Sequence, residues 1–104
     1  MTPEFHPGAR EEFYAAIDWY DEQEFGLGRR FEEDVFGAVD AAADWPESWA
    51  VWPGWTGEPV VRTKGVHDFP YRIVYFVRED ELFVVAIAHD RRRPGYWHDR
   101  LTTA

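Results

Sequence analysis

Apolar positions recur at helical spacing through the first part of the chain and at strand spacing towards its end. Phe13, Ala16, Ile17 and Tyr20 form one helical stripe, with Trp19 at its flank. Pro7 suits a helix start, where its missing N–H costs nothing, and Glu11 and Glu12 follow in the favourable opening turns. Gly26 and Gly28 around Leu27 stop that helix and restart another. The second stripe is Leu27, Phe31, Val35, Ala38 and Ala42, widened by Phe36 and Val39. Arg29, Arg30, Glu32, Glu33 and Asp34 face outward, and Pro46 ends the helix. Two helices joined by so short a break form an αα-hairpin. Their carboxylates read as solvent-facing and have no histidine partner, so this half is expected to be scaffold.

Beyond Pro46 the period changes. Tyr71–Val77 and Leu82–Ala88 are Val-, Ile-, Phe- and Tyr-rich runs of strand length, separated by the charged break Arg78–Glu81. The break is short enough to make them an antiparallel hairpin. Tyr71, Ile73, Tyr75 and Val77 share one face, yet Val74 and Phe76 keep the other apolar. Such strands lie inside a sheet covered on both sides. Pro59–Val66 predicts a further strand with Val60, Arg62 and Lys64 on one face and Val61 and Thr63 on the other. Met1–His6 supplies a short strand, giving a sheet of three to four strands. The expected class is α+β, with the N-terminal αα-hairpin packed on one face of a small antiparallel sheet. The opposite face is then left to carry Arg62, Lys64 and Arg72. Trp45, Trp49, Trp52 and Trp55 cap that open side, or stack against nucleobases or an apolar partner segment.

Composition narrows the class. A chain of 104 residues predicts a single domain over residues 1–104 with one modest core. No apolar run approaches the ~20 residues a membrane span needs, and no secretory signal is visible. The absence of cysteine excludes disulfides and thiolate metal sites and suits a cytoplasmic protein. His6, His67, His89 and His98 show no metal-ligand spacing, so neither a metal nor a cofactor is expected. The net charge of −9 argues against nucleic acid as an average, but the charge is segregated. Residues 1–58 hold 14 Asp/Glu against 3 Lys/Arg, whereas residues 59–104 hold 6 against 8. An acidic supporting layer and a mildly basic working face follow.

The working face is sought at the end of the second long strand, where the composition turns to His89-Asp90-Arg91-Arg92-Arg93-Pro94-Gly95-Tyr96-Trp97-His98. Three arginines at a sheet edge, then a Pro-Gly turn and two aromatics, suit an anionic or planar partner. The stretches FPYRIVYFV and H-x-R-R-R-P-x-Y-W, with FHPGAREEFYAAIDWY and FGLGRRFEEDV upstream, resemble the RelE/ParE superfamily of bacterial toxins over nearly the whole chain.

That resemblance implies the toxin of a type II toxin–antitoxin module, cytoplasmic, bound by a cognate antitoxin in a hetero-oligomer. It implies growth inhibition through ribosome-dependent mRNA cleavage by a metal-independent endoribonuclease. The alternatives are inhibition of DNA gyrase, or a catalytically inert toxin-fold binding module. RNA cleavage by 2′-OH attack needs a base, an acid and cations around the phosphorane. By resemblance Lys64 or His89 is the base, Arg72 and Arg91 hold the phosphate, and Tyr96 orients or relays a proton. Arg62, Arg92, Arg93 and Trp97 complete substrate binding. Arg72 is also placed to pair with Asp68 or Asp90, and Tyr96 and Trp97 to pack. The antitoxin is expected to set anionic side chains against Arg91–Arg93.

Overall fold

The computed structural model describes residues 3–102. Strand β1 (Pro3–Phe5) leads into α1 (Pro7–Gln23) and α2 (Leu27–Asp44), followed by β2 (Arg62–Gly65), β3 (Tyr71–Arg78) and β4 (Glu81–His89). A 3₁₀ turn, His98–Thr102, follows. Both helices form where the stripes predict them. Ala9, Phe13 and Ala16 of α1 are buried, as are Phe31, Val35, Ala38, Val39 and Ala42 of α2. Gly26 takes φ 89° between the helices, and a Cβ on Gly28 would sit 2.4 Å from the Ile17 carbonyl oxygen. The glycines therefore make the turn and allow the helices to touch.

The sheet order is β1-β4-β3-β2. It is mixed, where the sequence reading expects an antiparallel sheet: β1 runs parallel to β4, pairing Pro3–Phe5 with Leu82–Val84. Two helices and the long connection over residues 45–61 separate β1 from β2, which takes the opposite edge of the sheet. Of the residues assigned to that first strand, Met1 and Thr2 lie outside the described ones. β3 and β4 form the expected hairpin, closed by Glu79 and Asp80, both at positive φ as a two-residue primed turn requires. The strand expected over Pro59–Val66 is shorter, Arg62–Gly65.

Both faces of the sheet are covered. Ile73, Tyr75, Leu82, Val84 and Ile87 meet the helices. Val74, Phe76, Val85, Ala86 and Ala88 meet Trp97, with Trp52, Trp55, Tyr96 and Leu101 packed around them. Two of the four loop tryptophans thus cap the sheet. Trp49 instead joins the helix-side core and donates to the Ala41 carbonyl at 3.1 Å, while Trp45 is 67% exposed. A bulge interrupts the β3–β4 register, since Val74 faces Ala86 but Tyr75 faces Val84. Val85 is the extra residue, and it turns its side chain into the second core beside Ala86.

Helix α1 starts on His6, whose Nδ1 accepts from the Gly8 N–H at 3.0 Å, with Pro7 in the first turn. Burial first, then the Arg100 charge, lowers the His6 pKa from 6.5, with Glu12 opposing. Protonation would remove the cap acceptor and add a cation at the positive end of the helix. A lowered folded-state pKa means the unfolded chain takes the proton first. The contribution is therefore fully present above the unfolded pKa and is lost as pH falls through the folded one. His6→Asn keeps an acceptor without titrating. It is expected to flatten the fall in urea stability between about pH 7.5 and about pH 5, and equal slopes in the two proteins would remove His6 from that account.

Candidate functional site

Register decides where the expected site residues go. Arg62 pairs with Tyr75 and Lys64 with Ile73, and directly opposed residues share a face. Both cations therefore lie on the helix side of the sheet, at its β2 edge, and not on the opposite face where the sequence reading put them. The helices cover only the middle of that face, so its edge is left to the Trp45–Val51 loop. Arg62 donates to the Trp49 and Glu47 carbonyls at 2.8 and 3.3 Å, and the Tyr75 hydroxyl to the Pro46 carbonyl at 2.7 Å. Burial pushes the Tyr75 phenol up to about 12. Lys64 lies over the Trp49 ring at 4.5 Å. These contacts fasten the tryptophan loop.

Arg72 pairs with Gly65 and Ala88, which places it on the other face. It donates to the Thr63 hydroxyl at 3.1 Å and meets Asp90 at 3.6 Å. The structure thus realises the Asp90 pairing, whereas Asp68 goes to Arg30 at 3.1 Å. His89 stands at the end of β4 against Tyr71, the rings edge-to-face at 4.9 Å. Its Nδ1 accepts from the Arg91 N–H at 3.0 Å, so a neutral ring carries its proton on Nε2. Arg91 and Arg93 are exposed, and their guanidinium groups meet no described partner. Arg92 lies over the Tyr96 ring at 3.9 Å.

The sequence reading placed Glu12 in solvent; the structure makes it the hub of this region. Only 15% of its side chain is exposed, and 21% of that of Arg100. Arg100 grips both carboxylate oxygens at 3.0 Å, and the Tyr96 hydroxyl donates to Oε2 at 2.6 Å. Arg92 stands at 3.9 Å. The reason lies in the sheet edge. Pairing with β1 stops at Val84, and beyond it Glu12 takes the Ile87 N–H at 3.1 Å while Arg100 takes the Val85 carbonyl at 3.1 Å. One ion pair satisfies backbone groups that the short β1 does not reach. Burial and the bond to Glu12 hold the Tyr96 phenol well above its usual range. Burial opposes charge on Arg100, but Glu12 outweighs it and its pKa rises. A signal for Glu12 existed, since positions 9, 12, 13 and 16 share one helical stripe.

Trp97 is 1% exposed and packs on the sheet; its buried indole N–H makes no hydrogen bond among the described residues. The structure therefore brings Arg72, His89, Arg92, Arg93, Tyr96 and Trp97 around one cleft of about 230 Å³. It leaves Arg62, Lys64 and Arg91 out of that cleft's lining, the first two on the tryptophan-loop side. A separate depression of about 430 Å³ is lined by residues that include Phe5, Phe13, Tyr14 and Phe36 and holds none of the expected residues. Among the described residues no group of three or more His, Asp or Glu is placed to hold a metal, and no helix is long and apolar enough to cross a membrane.

A two-helix hairpin on a β1-β4-β3-β2 sheet, with the chain after β4 folded over the other face, has a solved counterpart. The structure described as the chromosomal ParDE TA system from P. aeruginosa superposes with a TM-score of 0.70 at 19% identity, over 86% of this chain and 95% of that one. The likeness shows that the two chains share a fold. The family follows from sequence: the model of the ParE toxin of type II toxin-antitoxin system, parDE, matches residues 4–94, and the chain belongs to that family. No curated protein sequence matches it.

Proposed function

We propose that this chain is a growth-arresting toxin, neutralised in the cytoplasm by a protein antitoxin, and that it acts by inhibiting DNA gyrase without cutting mRNA. One observation carries the choice of target. Metal-free RNA cleavage needs base, acid and cations within hydrogen-bond reach of one phosphate. Here Lys64 and Arg72 lie on opposite faces of the sheet. The Tyr96 hydroxyl donates to Glu12 at 2.6 Å, so its proton is engaged within the protein. Membership of the ParE toxin family supports the toxin reading, and the paired system named for the solved neighbour supports an antitoxin partner.

The test is induced expression without antitoxin, followed by plasmid supercoiling assays and mapping of mRNA ends. Growth arrest with altered supercoiling and intact mRNA is expected. Codon-phased cuts appearing before any change in supercoiling would overturn the choice of target. Unimpaired growth would leave an inert binding module. Ribosome-dependent cleavage is the second reading, favoured by His89 and Arg72 lining one cleft with Arg92 and Arg93. On that reading, replacing His89 or Arg72 abolishes the cuts.

A further inference from the structure

His89 and Arg92 line two adjoining depressions. The first, about 350 Å³, runs along α1 and has an apolar wall that includes Ala15, Trp19, Tyr71 and Ile87. The second is the cleft of about 230 Å³ that holds Arg72, Arg92 and Arg93 beside Trp52 and Trp97. Its charges are poorly matched from within. Among the described residues Asp90 is the one carboxylate lining it, and it meets Arg72 at 3.6 Å with both groups about half exposed. Such a pair contributes little and exchanges readily. Arg92 is committed to Tyr96 and Glu12, and the Arg93 guanidinium meets no described partner. Arg92 and Arg93 are exposed at the mouth of the cleft, which makes it a locally cationic spot on a chain of net charge −9.

Size and charge select among anions. The cleft lies below the ~300–1,000 Å³ of ordinary small-molecule sites, which suits one side-chain carboxylate better than a nucleotide. The acidic bulk of the chain repels an extended polyanion, while a single carboxylate carried by an apolar segment meets little opposition. The apolar depression next door receives the rest of such a segment.

We propose that the two depressions form one docking site for a partner protein segment in which apolar side chains lead to an Asp or Glu. The apolar residues lie against Trp19, Tyr71 and Ile87, and the carboxylate enters between Arg72 and Arg93, taking over Arg72 from Asp90. This rests on the reading of the chain as a toxin held by a protein antitoxin, and it names the surface and the chemistry that partner would use.

The probe is the peptide N-acetyl-Leu-Phe-Glu-amide, titrated into ¹⁵N-labelled protein while the indole N–H signals of Trp52 and Trp97 and the arginine Nε–H signals are followed. Saturable shifts of these signals are expected, with the Gln-containing peptide binding about tenfold more weakly or worse. Arg93→Gln removes that preference, and since Arg93 is exposed without partners its amide spectrum otherwise stays that of the parent. Equal binding of the Glu and Gln peptides would overturn the proposal. So would adenosine 5′-monophosphate binding at the same signals more tightly than the peptide, which would give the cleft to a nucleic-acid phosphate. A growth-arrest assay on the parent protein separates the two readings. Arrest without carboxylate preference refutes the docking site alone; carboxylate preference without arrest refutes the toxin reading alone.

Discussion

Glu12→Ala is expected to destabilise the protein by about 3–5 kcal/mol, the range for removing one partner of a buried ion pair. For a domain of this size that lowers the thermal midpoint by roughly 12 °C or more. The loss is large because four donors converge on this carboxylate: two from Arg100, the Tyr96 hydroxyl and the Ile87 N–H. Without it Arg100 keeps its burial and loses its counter-charge, and two neutral donors are stranded. Glu12→Gln retains one acceptor oxygen, for either the Ile87 N–H or the Tyr96 hydroxyl, and should lose about half as much. Combining Glu12→Ala with Arg100→Met should cost clearly less than the sum of the single changes, because the second change removes the stranded charge. Thermal unfolding of the four proteins by circular dichroism measures this. Additive single effects, or a Glu12→Ala loss under about 1 kcal/mol, would show that the hub does not hold the strand edge.

The second large effect is expected at Trp97. Trp97→Ala should cost about 3–5 kcal/mol, as buried tryptophan truncations do. The indole covers Val74, Phe76, Val85 and Ala86, with Trp52 edge-on at 5.1 Å and Trp55 at 6.0 Å. Trp97→Phe tests the source of that stabilisation. The indole N–H makes no hydrogen bond among the described residues, so phenylalanine forfeits only volume and should cost about 1–2 kcal/mol. Urea unfolding read through the remaining tryptophans separates the two variants. A Trp97→Phe loss as large as that of Trp97→Ala would mean that the N–H has an acceptor after all.

The helical hairpin was legible because its information is local: the spacing of Phe13, Ala16 and Tyr20, and of Phe31, Val35 and Ala38, repeats within a few turns. The β-hairpin was legible for the same reason, its two runs meeting across a two-residue turn. What failed to show was non-local. Which face Arg62 and Lys64 occupy depends on their register against β3, and the direction of β1 depends on a strand nearly eighty residues away. Alternation within β2 correctly separated Arg62 and Lys64 from Val61 and Thr63, but alternation alone does not say which set meets the helices. Glu12 was misread because Arg10, Glu11 and Glu12 look like one solvated run, although position 12 lies on the same stripe as Ala9, Phe13 and Ala16. The closing segment was read as a place for an anion. Of its three arginines Arg92 and Arg93 line the cleft, while its Tyr96 and Trp97 serve packing and the Glu12 network.

The bond from Arg100 to Glu12 spans 88 residues of sequence. During synthesis the helical hairpin leaves the ribosome long before Tyr96 and Arg100 do, and until they arrive the carboxylate and the bare stretch of β4 have no partners. The first half of the nascent chain can form its helices, but it has no sheet edge to seal. The ordering of these contacts makes the late residues the latch of the fold, closing a long loop whose entropy must be met before the network stabilises anything. A chain ending at Asp90 would therefore have all four strands but lack Tyr96, Trp97 and Leu101 over its second face, a species for chaperones or proteases to recognise.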